Sequence, residues 1–339
     1  MVNNSISLID VTNANDDYDA DFDIPELLQN SPYLNESEVF NIMHDKQNVF
    51  TILSLNIQSL NAKIDELKIY IEKLNLNNLH FSAICIQETW LKMDSDLSLL
   101  QVPGYNLIHK ACSCSSHGGV AVYLKDCFNY NVLEATEVSE IYDGIFLKVN
   151  TTNTNSGSNK QLVIGNIYRP PRDNLDNYNT FIEQIDNMLS SFQQSNNEVV
   201  ITGDFNMDLL KIKERQIFHD YFDVIIANGF IPKITYPTRS TETSSTLIDN
   251  ILVKISENLS PTTAGILSYK ISDHQPCLIA LDYMQVRHKR SKYVEIKSYT
   301  ANAIENLKLD LQQTCTSQMF DHIDHADPGA CYDLLEEKN

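Results

Sequence analysis

No apolar run in this chain approaches the eighteen or so residues that span a bilayer, which excludes a helical membrane anchor. Its start, Met1-Val2-Asn3-Asn4, lacks the basic residues and apolar stretch of a secretory signal, so an intracellular protein is expected. A disulfide framework is not expected either, because seven cysteines is an odd number and they are scattered over 339 residues. Cys112, Cys114 and His117 lie close enough together to suggest zinc. No second Cys/His pair stands at finger spacing, and Gly118-Gly119 follow directly, so these read as loop cysteines. Internal repeats of solenoid length are missing. Positive charge is scarce: 25 basic side chains face 45 acidic ones, a net charge of -20.

The acidic excess is unevenly placed. Residues 1–46 hold ten acids and one lysine, residues 47–284 hold 26 acids and 17 bases, and residues 285–339 hold nine acids and seven bases. Almost half of it therefore sits in a leading segment. The central region is still acidic, which argues against tight electrostatic capture of long nucleic acid by this chain alone. The leader, residues 1–47, includes Asn15-Asp16-Asp17-Tyr18-Asp19-Ala20-Asp21 and is too polar to bury a core. It reads as mostly disordered, with a marginal helix at Ile24–Leu28.

An apolar fraction of 42% supports a real core beyond the leader. Strands are predicted at Phe50–Leu55, Phe81–Ile86, Tyr105–His109, Gly119–Leu124, Ile145–Val149, Leu162–Tyr168, Glu198–Thr202, Ile248–Val253 and Cys277–Leu281. The polar stretch Asn150–Asn159 reads as a turn. Helices are predicted from Leu60 to Leu74, at Leu175–Phe192 and at Ile217–Ala227, each with apolar residues at three- and four-residue steps. Hairpins and crossovers in two halves imply an α/β sandwich, two mixed sheets face to face with helices outside, over residues 48–284. Residues 285–339 read as a tail. It opens with the basic run Arg287-His288-Lys289-Arg290-Ser291-Lys292 and has helical patterning at Ala301–Leu311. That run suits a charged linker, a nuclear address or a phosphate contact.

Chemistry-bearing residues fall at strand ends. Glu88 follows Ile84-Cys85-Ile86 directly and is the best single metal-ligand candidate, although an exposed cap of the next segment would look the same. Asn56 ends the first strand, where it could ligate a metal, orient Glu88 or simply turn the chain. Asp204 and Asn206 follow Val199-Val200-Ile201-Thr202-Gly203. In extended backbone both would point to one side and reach one phosphate; otherwise they form an Asx-type turn. Asp249, between apolar neighbours, needs a partner, and His274 would satisfy it while gaining a fixed orientation or charge. Asp273 adjoins that histidine. Tyr168 ends its strand before Pro170-Pro171 and could bond a phosphate oxygen or pack at an edge. Arg239 lies on a polar loop, as a substrate contact or a solvated side chain. Acids, amides and an imidazole delivered to one sheet edge suit metal-assisted cleavage of a phosphodiester. Magnesium fits hard oxygen ligands of this kind.

In order, Leu55-Asn56-Ile57-Gln58-Ser59-Leu60, Gln87-Glu88-Thr89-Trp90-Leu91, Gly118-Gly119-Val120-Ala121, Ile167-Tyr168-Arg169-Pro170-Pro171 and Gly203-Asp204-Phe205-Asn206 resemble the endonuclease/exonuclease/phosphatase superfamily. That superfamily includes deoxyribonuclease I and the apurinic/apyrimidinic endonucleases. The closer resemblance is to the endonuclease domain of non-LTR retrotransposons of the jockey or LINE type. It implies a four-layered, deoxyribonuclease I-like α/β sandwich and a Mg2+-dependent cut, with Mn2+ as a substitute, that leaves a 3′-hydroxyl in duplex DNA. It further implies that Glu88 binds metal with Asn56 and Asp273 beside it, and that Asp204 positions the water. Asn206 and Tyr168 would bind phosphate, and His274 paired with Asp249 would stabilise developing charge. The chain contains no Tyr-x-Asp-Asp run, so a reverse transcriptase would be a partner absent from it. His117 stands before Gly118 where a further glycine or a basic residue is usual. A phosphatase acting on inositol phosphates or lipid headgroups, and a relic binding protein without catalysis, are the rival expectations.

Overall fold

Which way each strand side chain faces is set by the two-residue period of extended backbone. In the computed structural model, Phe50 and Ile52 of β2 (Phe50–Asn56) face one apolar cluster, while Leu53 and Leu55 face another. The split repeats in β3 (Ala83–Gln87) and β5 (Val120–Lys125): Ala83, Cys85, Val120 and Val122 lie on the first side, Ile84, Ile86, Ala121 and Tyr123 on the second. Strands buried on both faces must be apolar throughout. The structure describes residues 31–44, 49–76, 79–112, 117–133, 141–153, 159–172, 174–193, 197–254, 262–281 and 284–285. The expected helix at 24–28, Cys114, the basic run at 287–292 and the patterning at 301–311 lie outside the described residues. By internal contacts the chain divides into residues 1–287 and 288–339, and the described residues all belong to the first unit.

Two sheets form the centre. One has the strand order β1-β14-β15-β2-β3-β5-β4, where β1 is Tyr33–Leu34, β4 Tyr105–Lys110, β14 Thr262–Leu267 and β15 Cys277–Leu281. The other runs β10-β13-β9-β8-β7-β16, with β6 (Tyr130–Leu133) also on β7. Here β7 is Asp143–Asn153, β8 Asn159–Tyr168, β9 Glu198–Asp204, β10 Phe230–Pro232, β13 Asp249–Lys254 and β16 Met284–Gln285. A two-residue hairpin pair, β11 (Arg239–Ser240) and β12 (Ser245–Thr246), stands apart. The first cluster joins the inner faces of both sheets to the helices α3 (Leu175–Gln193) and α4 (Gln216–Ala227). The second joins the outer face of the first sheet to α1 (Glu36–His44) and α2 (Leu60–Leu76). The result is the α/β sandwich expected from the sequence: two mixed sheets flanked by helices. No described helix is long and apolar enough to cross a membrane.

Several expectations need correction. The fold begins before residue 48: β1 pairs in parallel with Ile266 and Leu267, and Leu34, Val39 and Met43 are buried. A reciprocal capping box starts α1, with Asn35 Oδ1 accepting from the Glu38 amide at 3.0 Å and Glu38 Oε2 from the Asn35 amide at 2.8 Å. The stretch 150–159 is not all turn, because β7 continues to Asn153 and β8 starts at Asn159. Strand β9 runs on through Asp204, and Gly203 is needed there for closeness: a Cβ would sit 2.1 Å from the Ile167 carbonyl oxygen on β8.

Candidate active site

The register sets the site. Pairing of β2 with β3 ends at Asn56 opposite Gln87, and pairing of β8 with β9 ends at Tyr168 opposite Asp204. On the other flank of β9, Asp249 opens β13 directly opposite Asp204. Beyond these ends the backbone turns sharply. Gln58, Ser59, Glu88, Trp90 and Asn206 all have left-handed φ values, between 48° and 85°. They are the positive-φ non-glycine residues among those described, and such strain gathers where a chain must be over-determined by its surroundings.

The Asn56 amide links the two sheets. Its Nδ2 donates to Glu88 Oε1 and to Asp204 Oδ2, both at 2.8 Å. Behind it, Gln87 Nε2 donates to Asn166 Oδ1, and Asn166 Nδ2 donates to the Ile86 and Ala121 carbonyls at 2.9 Å. This buried polar bridge fixes the sheets' relative position beneath the site. His274 is 2% exposed, and its Nδ1 lies 3.0 and 2.9 Å from the Asp249 carboxylate oxygens. Thr238 Oγ1 donates to Asp249 Oδ2 at 2.6 Å, so the carboxylate is held from two sides. Ser272 Oγ donates to the Asn56 carbonyl and accepts from the His274 amide at 3.1 Å, tying the histidine loop to the end of β2.

Asp204, Asp249 and His274 offer side-chain atoms within 4.8 Å of one another. Burial and the nearby Asp249 charge push the Asp204 carboxyl up to about 7. Burial alone would lower the His274 pKa, but the Asp249 charge and hydrogen bond, then Asp204 and Asp273, outweigh it and raise it to about 9. Burial, with Glu88 and Asp204 close by, holds the Tyr168 phenol far above its usual range, so it stays a donor.

The remaining expected residues take more specific places. Asn206 does not continue an extended strand beside Asp204. Its amide donates to Asp204 Oδ1 at 3.0 Å, an Asx-type turn, and its Nδ2 donates to the Arg169 carbonyl at 2.7 Å. Arg239 is not a free loop side chain: its Nε and a terminal nitrogen each lie 2.8 Å from Asp273 Oδ2. Burial would raise the Asp273 pKa, but that pairing and His274 hold it below the usual carboxylate value. Two contributors were not among the expected site residues. Arg169 is 1% exposed, donating to the Asn206 carbonyl at 3.2 Å with its guanidinium 4.5 Å from the Tyr178 ring centroid. Thr238 is fully buried.

The residues suit a divalent cation. Glu88, Asp204, Asp249 and Asp273 gather four carboxyl groups at this edge, with Arg239 paired to Asp273 and His274 to Asp249. Asn56 Oδ1 and Asp273 Oδ1 are buried oxygens without a hydrogen-bond partner, which a hard cation would satisfy.

A sandwich of two mixed sheets with clustered carboxylates, amides and an imidazole at one edge defines a phosphate-ester hydrolase scaffold. The chain belongs to the Endonuclease/Exonuclease/phosphatase family, whose profile matches residues 53–274. Members of that family are hydrolases acting on phosphodiester bonds and are typically divalent-metal dependent. Among solved structures, the AP endonuclease LMAP from Leishmania major is similar, with a TM-score of 0.56, 12% identity, and coverage of 77% of this chain and 95% of that one. The endonuclease domain of TRAS1, a telomere-specific non-LTR retrotransposon, gives a TM-score of 0.50 at 12% identity over 69% of this chain and 99% of that one. The 3'-5' exonuclease NExo from Neisseria meningitidis gives 0.50 at 16% identity over 69% and 100%. At these identities the likeness concerns the fold. No curated protein matches the chain.

Proposed function

We propose that the chain is a divalent-metal-dependent endonuclease that nicks duplex DNA, of the kind encoded by non-LTR retrotransposons. The observation that carries this reading is the Asn56 amide joining Glu88 to Asp204, with Asp249 of the neighbouring strand paired to His274 on the loop before β15. Glu88, Asn56 and Asp273 would hold the cation, Mg2+ or Mn2+, which when bound polarises the phosphoryl oxygen.

The chain's own groups do the rest. Asp204, poised near neutrality, takes the proton of the attacking water. With Nδ1 committed to Asp249, His274 offers Nε2, and its cationic form donates to the phosphoryl oxygen on which charge builds. Tyr168 donates its phenolic hydrogen to another phosphate oxygen. The Asn206 amide, held by Arg169, flanks the same phosphate. The P–O3′ bond breaks as the water oxygen bonds phosphorus, and the leaving oxyanion takes a proton from solvent to give the 3′-hydroxyl. A reverse transcriptase extending that end, in the nucleus, would be the partner.

Offering the full chain supercoiled plasmid, an abasic duplex and inositol phosphates in parallel, each with Mg2+, tests the reading. Conversion of the plasmid to open circles with no inorganic phosphate released supports it. Phosphate release from the inositol phosphates with intact plasmid overturns it in favour of a phosphatase.

A further inference from the structure

Both oxygens of Glu88 already have donors. Oε1 accepts from Asn56 Nδ2 at 2.8 Å, and Oε2 accepts from the indole Nε1 of Trp90 at 3.1 Å. Trp90 lies two residues after Glu88, and a regular strand would place both on one face without joining their tips. They meet because both take left-handed backbone, φ 51° at Glu88 and 55° at Trp90. A non-glycine residue is held there only where its surroundings compensate the strain. The compensation is visible. The Trp90 amide donates to the Gly118 carbonyl at 2.8 Å, the Thr89 amide to the Gly119 carbonyl at 3.2 Å, and the Ser59 amide to the Glu88 carbonyl at 2.9 Å. Gly119 is required for that approach, since a Cβ there would sit 2.7 Å from Thr89 Oγ1. The indole ring is fixed in turn, edge to face with His117 at 4.7 Å between centroids.

We propose that Trp90 is the positioning residue of Glu88: its indole N–H sets the orientation in which the carboxylate meets a divalent cation. This rests on the reading of Glu88 as a metal ligand. Asn56 and Trp90 each take one lone pair of a different oxygen. The carboxylate can then neither rotate nor flip without losing a hydrogen bond, and its remaining lone pairs have fixed directions. Donors behind a ligating group of this kind govern metal affinity by roughly 10–100-fold. Trp90 is also the chain's single tryptophan, so its emission reports this one place.

The test uses the full-length protein and Mn2+ alone, a paramagnetic ion that quenches indole emission at short range. Titration of the wild type should quench tryptophan emission, saturating with the stoichiometry and affinity that calorimetry gives for the strongest site. Trp90→Phe keeps a ring but loses the N–H, and should bind Mn2+ roughly 10–100-fold more weakly while remaining folded by circular dichroism. Calorimetric binding by the wild type without quenching would overturn the proposal, even if Trp90→Phe proved insoluble. So would wild-type affinity in Trp90→Phe alongside weak binding in Glu88→Gln, an outcome that leaves the site reading intact. Wild-type affinity in Glu88→Gln would instead sink the assignment of Glu88 itself.

Discussion

Replacing Asp249 with asparagine keeps the shape of the His274 partner and removes its charge. In the wild type that charge, 2.9 and 3.0 Å from Nδ1, is the main influence opposing burial, and together with Asp204 and Asp273 it lifts the histidine from 6.5 to about 9. Without it, the pKa of this side chain, 2% exposed, falls well below 9, because burial disfavours the cation and Asp204 and Asp273 alone oppose it. At pH 7.5 the wild-type ring is about 97% protonated, and each unit by which the variant pKa falls below 7.5 lowers the cationic fraction, and with it cutting, about tenfold. The alkaline limb of the pH–rate profile should move to lower pH by as much as the His274 pKa falls. Stability obeys the same linkage. A folded-state pKa above the unfolded value stabilises fully below pH 6.5, and that stability is lost as pH rises through 9. It amounts to on the order of 3 kcal/mol. Asp249→Asn should therefore flatten the fall in melting temperature between pH 6.5 and 9. The assays are plasmid nicking from pH 5.5 to 9.5, thermal unfolding over the same range, and the NMR titration of His274. A His274 titration in Asp249→Asn that matches wild type would show that the Asp249 charge does not hold the imidazole cationic.

Three further expectations concern other links of the chain. Glu88→Gln should lower kcat/KM by roughly a hundredfold or more at fixed Mg2+; a change under threefold would contradict its assignment. Gly203→Ala must drive β8 from β9, since the new Cβ would lie 2.1 Å from a backbone oxygen, and should cost about 3 kcal/mol in urea unfolding. A chain starting at residue 48 loses the burial of Leu34, Val39 and Met43. That burial is worth roughly 5 kcal/mol before ordering entropy is subtracted, so the urea midpoint should drop; an unchanged midpoint would show β1 and α1 to be dispensable.

Much of the fold was legible because β2, β3 and β5 are buried on both faces and so appear as unbroken apolar runs. Short edge elements were harder to see. β10 has three residues, and β14 is Thr262–Leu267, a Thr-Thr-Ala-Gly start with little apolar signal. The start of the domain was hidden by composition, since acids surround Leu34, Val39 and Met43. Asn35 with Glu38 three residues later was the local signal that could have revealed it. At the site, the residue types at strand ends were readable one by one, but their hydrogen bonds were not. Asn56 to Asp204 spans 148 positions, and the Arg239–Asp273 pairing spans 34. The burial of Arg169 depends on Tyr178 and on the Asn206 turn, neither of which its own motif announces.

We propose that one edge of the sandwich carries a metal-assisted phosphodiester-cleaving site built on Glu88, Asp204 and His274. The most direct measurement is single-turnover nicking of supercoiled plasmid with Mg2+, comparing wild type with Glu88→Gln, Asp204→Asn and His274→Ala at equal folded concentration. The wild type should give Mg2+-dependent open circles whose nicks a DNA polymerase can extend, abolished by chelator and lost or severely slowed in all three variants. Equal nicking by wild type and the three variants, or nicking that survives chelation, would contradict it.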